Sequence, residues 1–266
     1  MPFLLAFYAF GMGAIVGSFL NVVIHRYPRE ESIVFPASHC PKCNTPIRWY
    51  DNIPILSYLA LGARCRTCKA PISPRYPLVE LANALFYLAV FLRTGPTIAF
   101  VLIAAIVSMT IALIYIDTEI QILPDVIDVP GIAIGIACGA LAPGAALPNL
   151  TLAESWTDSL AGAALGAGII IVITAAYWLL RRIEGMGQGD IKMMAMIGAV
   201  LGWRAVPGVL FLASLSGAVA AIPVAWRSER KMQTALPFGA FLGFATLLVM
   251  FFGGWMDQLW IRTLPQ

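Results

Sequence analysis

The sequence predicts an all-α polytopic membrane protein of about eight transmembrane helices, with a small cytoplasmic domain after the first of them. Composition is the first reason. Of 266 residues, 60% are hydrophobic and 12% charged, with a mean hydropathy of +0.83, whereas soluble domains average about 45–50% apolar and 25% charged. The second is that the apolar residues gather into runs long enough to cross a bilayer. The third is that the basic residues fall unequally between the loops these runs define. The same numbers exclude a disordered chain, a collagen-like repeat and a small disulfide-stapled secreted fold. No basic stretch resembles a nucleic-acid site, so lipid is the expected surrounding and nucleic acid is not an expected partner.

The first apolar run, from Pro2 to Ile24, has no basic residue before it, and Arg26 and Arg29 follow it. It therefore reads as a retained anchor with its N-terminus outside. Further spans are expected near 78–93, 97–116, 126–147, 158–180, 190–203, 205–226 and 236–254, those at 78–93 and 190–203 being short. If the first helix runs from out to in, the cytoplasmic pieces are 25–77, 117–125, 181–192 and 227–235. They hold eight, none, three and three Lys or Arg, leaving Arg93, Arg204 and Arg262 outside, the asymmetry that the positive-inside rule describes. Trp156, Trp178, Trp203, Trp226 and Trp255 lie at or near span ends, where amphipathic indoles settle. The chain thus divides into a first transmembrane helix (1–24), a cytoplasmic domain (25–77) and a membrane domain (78–266).

Residues 25–77 break the hydrophobic pattern, being rich in proline and basic residues and holding four of the five cysteines. Cys40-Pro41-Lys42-Cys43 is followed after 21 residues by Cys65-Arg66-Thr67-Cys68, a spacing close to that of zinc ribbons. A reducing cytoplasm disfavours two disulfides, and about fifty residues with few large apolar side chains need a staple to fold. A structural tetrathiolate zinc site is the reading, with redox chemistry as the alternative. Four thiolates leave no open coordination position, so this metal would not perform hydrolysis. His39 either replaces a ligand or packs beside the site. Cys138, alone in an apolar span, reads as a small buried side chain.

Only 14 carboxylates exist, and Asp117, Glu119, Asp125 and Asp128 crowd the junction of the third and fourth spans. Ionised groups at membrane depth are costly and are functional candidates by default. Pro124 and Asp125 read as the start of the next helix, where Asp125 is favoured by the helix dipole. Glu119 faces water in the loop on the simplest reading, and Asp128 suits packing or a polar network. A further carboxylate closes Gly185-Met186-Gly187-Gln188-Gly189-Asp190 at the cytoplasmic end of a short span. Alternating glycines let another backbone pass close to Asp190. A dinucleotide or methyl-donor glycine loop fails on context, because it should follow a strand and open a helix in a soluble βαβ unit.

Asp117 and Asp190 lie at the cytoplasmic ends of different spans and can converge to share one proton, since close carboxylates do not both ionise cheaply. Such a dyad holds an acid and a base in one site, suited to attack of water on a peptide carbonyl. Serine or cysteine hydrolysis has little support: His25 and His39 both lie in or beside the cysteine domain, and neither a GxSxG nor an HExxH motif is present.

The ordered set of motifs resembles the type IV prepilin leader peptidases, membrane aspartyl proteases of the GxGD class that also N-methylate their product. It comprises Gly17-Ser18-Phe19-Leu20-Asn21-Val22-Val23-Ile24-His25-Arg26-Tyr27-Pro28, both CxxC pairs and Trp49-Tyr50-Asp51-Asn52-Ile53-Pro54. Arg75-Tyr76-Pro77-Leu78-Val79-Glu80, the Asp117 to Asp125 motif, Gly187 to Asp190 and Leu236-Pro237-Phe238-Gly239 complete it. The resemblance implies that Asp117 and Asp190 are the catalytic pair, with Gly187, Gly189 and Asp125 in support. It implies prepilin and pseudopilin substrates cleaved on the cytoplasmic side of the bacterial inner membrane, and S-adenosylmethionine as methyl donor. The cysteine domain favours the bifunctional form. The donor's sulfonium is a cation that aromatic faces and carboxylates can hold. Trp49, Tyr50, Asp51 and Glu80 are candidates, although the same residues also suit interfacial anchoring and fold-stabilising hydrogen bonds. The competing class is a transporter or channel with a regulatory zinc module, in which intramembrane carboxylates would relay ions.

Overall fold

A computed structural model describes residues 2–147, 150–182, 187–227 and 236–263. The described secondary structure is helical apart from two isolated β-bridges. The chain forms two compact units, Met1–Pro96 and Thr97–Gln266. Among the described residues, four helices are long and apolar enough to cross a membrane.

The first unit holds α1 (Pro2–Arg26), the one-turn α2 (Leu56–Ala60) and α3 (Arg75–Thr94). α1 and α3 pack tightly because α1 presents glycines four residues apart. A Cβ on Gly13 would lie 2.7 Å from Ala84 Cα, and one on Gly17 2.7 Å from Glu80 Cα, so the two backbones touch where no side chain fits. Asn83 Nδ2 donates to Gly13 O at 2.7 Å, and Asn21 Nδ2 donates to Tyr76 O at 3.0 Å. The amide N–H groups thus find acceptors on the helix pair instead of facing lipid. Gly95, with φ +64°, ends α3 in the left-handed region that glycine tolerates.

The second unit holds α4 (Ile98–Ile120), α5 (Asp125–Leu141), α6 (Trp156–Arg181), α7 (Gln188–Leu201), α8 (Val206–Arg227) and α9 (Phe238–Thr263). Thr97 caps α4 by accepting from Phe100 N, and Ser155 caps α6 by accepting from Asp158 N at 3.2 Å. Both satisfy amides that have no partner within their helix. α7 is the shortest of these and the most enclosed: Met193, Met194, Met196, Ile197, Ala199 and Val200 are essentially inaccessible. It packs against α5, α6 and α9, which is why it is apolar all round beyond Lys192. Gly162 and Gly198 bring α6 and α7 so close that a Cβ on either would stand about 2 Å from the other's carbonyl oxygen. α8 and α9 contribute shorter apolar stretches, Val206–Ile222 and Phe238–Gly254.

The expected spans at 97–116 and 126–147 differ from the helices at their C-terminal ends. α4 runs through the polar residues Asp117 to Glu119 and stops only where Gln121 turns left-handed and donates its N–H to Asp117 O. α5 ends at Leu141, where Ala142 leaves the helical conformation (φ −141°), because the residue before a proline, here Pro143, is disfavoured in the α region. Trp156, Trp178 and Trp203 are each about half exposed. The side chains of Trp226 and Trp255, and the residues Gly185 and Met186, lie outside the described ones.

Candidate active site and metal centre

Asp117 occupies the last turn of α4 and is 4% exposed. Its Oδ2 accepts from the N–H of Ala240 at 2.8 Å. Ala240 belongs to the first turn of α9, so the carboxyl group sits against the positive end of that helix. Asp190 is in the first turn of α7, where its Oδ2 accepts from Gly187 N at 3.2 Å while its own N–H donates to Gly187 O. This is the reciprocal half of a capping box. Both aspartates are thus held by backbone donors at the starts of helices.

Leu123 organises the site. It is 8% exposed and lies in the short connection between α4 and α5. A Cβ on Gly189 would stand 2.8 Å from Leu123 Cβ, and a Cβ on Gly239 would stand 2.9 Å from both Leu123 methyl carbons and 3.0 Å from Asp117 Cγ. The leucine therefore fills space left by two glycines, one beside each aspartate. Gly187 plays a different part: a Cβ there would reach only to 3.7 Å from Asp190 Oδ2, an ordinary contact. Gly189→Ala is accordingly expected to push Leu123 aside and lower peptide cleavage by about 10²-fold, and Gly187→Ala to leave it within a few-fold. Partial recovery in a Gly189→Ala/Leu123→Ala double variant, measured by cleavage rate, would tie the loss to this contact. Neither Leu123 nor Gly239 was legible as a site residue. The Pro237-Phe238-Gly239 sequence opening the last helix was the available signal.

Asp125 stands one residue into α5, exposed, with Lys192 Nζ 2.6 Å from both its oxygens. Pro124 takes the position before the helix and makes no side-chain cap. Asp128, one turn on, is 0% exposed, and neither of its oxygens has a hydrogen-bond partner among the described residues. Asp125, Lys192 and Asp190 are the charged groups acting on it. Unpaired buried oxygens carry their full desolvation cost, so Asp128→Val is expected to raise the thermal unfolding midpoint by a few degrees. An unchanged or lower midpoint would show that these oxygens are bonded in solution.

In the first unit, the Sγ atoms of Cys40, Cys43, Cys65 and Cys68 all lie within 4.8 Å of one another, and none is in a disulfide. Two similar turns bring them together. Cys40 N donates to Thr45 O and Asn44 N to Cys40 O; in the second turn Cys65 N donates to Ala70 O and Lys69 N to Cys65 O. Asn44 and Lys69, each just after its second cysteine, both have positive φ. A β-bridge closes each turn, His39 with Pro46 and Arg64 with Pro71. Tetrahedral zinc with Zn–S near 2.3 Å would set sulfurs about 3.8 Å apart, and Cys40 Sγ to Cys68 Sγ is 3.8 Å. The donor set fits a tetrathiolate zinc. His39 stands outside this cluster of four, its Nδ1 3.1 Å from Ala37 O.

The four residues considered for the methyl donor are placed unequally. Trp49 is 80% exposed and meets Tyr50 edge to face at 5.6 Å between ring centroids. The Tyr50 ring lies 5.8 Å and 5.6 Å from the Arg48 and Arg66 guanidinium carbons. Asp51 accepts two hydrogen bonds from Arg66, at 2.7 and 2.6 Å, and this bidentate partner holds its carboxyl below the usual carboxylate range. Glu80 is 7% exposed and accepts from Ile55 N at 2.7 Å. Asp51 and Glu80 line one cavity of about 730 Å³, which Trp49 and Tyr50 do not.

Two family profiles match the chain: the bacterial peptidase A24 N-terminal domain over residues 12–94 and the type IV leader peptidase family over 104–222. Curated relatives carry the name prepilin leader peptidase/N-methyltransferase. That of Myxococcus xanthus is 45% identical over 82% of this chain, which spans 63% of that relative. That of Pseudomonas putida is 35% identical over 94% of the chain and 88% of the relative, and that of Aeromonas hydrophila 37% over 98% and 92%. No solved structure matches the chain. The aspartate arrangement of the second unit lies largely inside the one profile and the cysteine turns inside the other, and the chain belongs to the type IV leader peptidase family.

Proposed function

We propose that this chain is an aspartic endopeptidase that removes the leader peptide of type IV prepilins and pseudopilins on the cytoplasmic side of the inner membrane. Asp117 and Asp190 would form its acid/base pair. The same protein then methylates the amine it has exposed, with S-adenosylmethionine as co-substrate. One observation carries the peptidase reading: two buried or half-buried carboxylates from helices far apart in sequence sit on backbone donors at helix starts, one leucine packing beside both. The names of the relatives support the same reaction and the methyl transfer.

In the peptidase step the ionised aspartate takes a proton from water as its oxygen attacks the scissile carbonyl carbon, and the protonated aspartate supplies a proton to the developing oxyanion. Collapse breaks the C–N bond as a proton passes to the leaving amine. The helix-start amides favour negative charge locally, and repulsion between the two acids favours their sharing a proton. In the methyl transfer the free amine attacks the donor's methyl carbon, the C–S bond breaks to leave a neutral thioether, and the amine's proton passes to water. The reference pKa of an α-amine is about 8, so a neutral fraction is available without a strong base. The four cysteines would hold zinc as a structural ion, giving fold to a segment with little core of its own. All eight long helices would lie in the membrane, with the N-terminus periplasmic, residues 25–77 as the cytoplasmic domain and 78–266 as the peptidase domain.

The test is incubation of detergent-solubilised protein with a prepilin. The expected product begins immediately after the glycine that ends the leader. A transporter or channel would leave the prepilin intact.

A further inference from the structure

Residues 33–36 form a small apolar tip whose position is fixed by the end of the first membrane helix. Arg26, the last residue of α1, is 7% exposed. Its guanidinium donates through Nη1 to Ser32 O at 2.9 Å and through Nη2 to Pro36 O at 2.8 Å, so one planar group pinches the tip at both ends of its base. Ser32 Oγ accepts from the N–H groups of Val34 and Phe35 at 3.3 and 3.2 Å, which closes the turn from within. Held in this way, Ile33, Val34 and Phe35 are 40%, 67% and 76% exposed. Three consecutive large apolar side chains fixed outside any core are unfavourable in water and mark a contact surface.

The geometry of α1 sets the depth of the tip. Its residues Phe3, Phe7, Met12, Ile15 and Phe19 are exposed along its length. Counted from Phe3 at 1.5 Å per residue, about 30 Å of hydrocarbon is crossed near Val23, which leaves Arg26 about 5 Å beyond, within the headgroup layer. Any tilt of the helix sets Arg26 deeper. Tyr27, the next residue, is exposed, as tyrosines at a membrane interface are. The exposed charges beside the tip, Arg29, Glu30 and Glu31, are of mixed sign, so attraction to anionic lipid has little to act on.

We propose that Ile33, Val34 and Phe35 are inserted among the upper acyl chains of the bilayer beside the end of α1, with Arg26 as the strut that holds them there. The occupant is phospholipid and not protein, because two hydrogen bonds tie the tip to the end of a helix apolar enough to span the membrane. The first cysteine turn follows directly, with Ile47 N donating to Ser38 O, so the tip moors that turn at a fixed height on the membrane. The inference rests on α1 spanning the bilayer and on neither of the proposed reactions.

The experiment uses full-length wild-type protein in phosphatidylcholine vesicles that contain a trace of phosphatidylcholine carrying a diazirine, either near the glycerol or at the end of an acyl chain. After illumination and trypsin digestion, the near-glycerol probe is expected to label the peptide Glu30–Lys42, and the chain-end probe to label α1 but not that peptide. Val34→Ser/Phe35→Ser leaves Arg26 and its two acceptors in place and is expected to cut the near-glycerol label on Glu30–Lys42 about tenfold. Zinc content and elution volume report whether this variant is folded. Phosphatidylglycerol added to the vesicles is expected to leave the wild-type label unchanged; a label that required it would assign the contact to charge and overturn insertion. A Glu30–Lys42 peptide without label, beside a labelled α1, would overturn it also and leave the tip to water or to a protein. Absence of label from α1 itself would instead overturn the membrane placement of that helix.

Discussion

Asp117→Asn and Asp190→Asn are each expected to lower prepilin cleavage by at least about 10³-fold while leaving a folded protein. Asparagine nearly preserves the shape of either side chain, and its carbonyl oxygen still accepts from Ala240 N or Gly187 N. The packing of Leu123 against Gly189 and Gly239 is therefore retained, and what is removed is one proton-carrying oxygen of the pair. Asp125→Asn should stay within a few-fold. Its ion pair with Lys192 is exposed, and such pairs are worth about 0–1 kcal/mol. Initial rates on a purified prepilin decide the matter. Near-normal turnover by either of the first two variants, or dependence on Asp125 instead, would sink the dyad. A second arm separates the two reactions: Asp117→Asn given a pre-cleaved pilin peptide and labelled donor should still transfer methyl, because Trp49, Tyr50, Asp51 and Glu80, the residues considered for the donor, belong to the other compact unit. No transfer by the folded variant would mean that the sites are coupled.

The second large effect is expected at the cysteines. Elemental analysis should find one zinc per chain, and serine at Cys40, Cys43, Cys65 or Cys68 should abolish it. Structural zinc supplies about 10–16 kcal/mol of apparent binding energy in zinc-finger peptides, far more than a segment of this size recovers from burial. Of the four, Cys40 alone is buried, and the segment from Tyr27 to Pro74 otherwise buries little beyond Ser57. Limited proteolysis should then cut between residues 30 and 74 in the variants and spare that stretch in wild type. Methyl transfer should fall with it, because Cys40 and Cys65 line the same cavity as Asp51 and Glu80, two of the residues considered for the donor. A metal-free protein whose cysteine segment resists protease equally well would refute the assignment.

The parts of the molecule legible in the sequence are those that depend on composition and local spacing. Helical character follows from apolar run length, and the cysteine cluster from two CxxC pairs, because each pair has only one compact turn that can present both sulfurs. Asp117 and Asp190 stood out because carboxylates are scarce in this chain. What the sequence left dark is contact between distant segments. Nothing local to Leu123 marks it as lying between Gly189 and Gly239, and nothing local to Ala240 says that its amide holds Asp117. Asn21 is similar: an amide in an apolar helix shows that a partner is needed, not that the partner is Tyr76 O. Gly13 and Gly17 likewise carry no local sign of what they admit, which only the facing backbone of α3 reveals.

The brevity of α7 has a consequence for substrate access. Its 14 residues rise about 21 Å at 1.5 Å each, whereas bilayer hydrocarbon is about 30 Å thick. A helix of that length whose Leu201 end reaches one interface ends about 9 Å short of the other. On the proposed membrane placement, Asp190, in its first turn, would lie below the level of the lipid headgroups, and hydrolytic water would have to descend past them to reach it. A pilin precursor, the proposed substrate, would then need no withdrawal from the lipid to be cut. It would have only to lower an unwound stretch of backbone to that depth while the helix that follows stays embedded beside the enzyme.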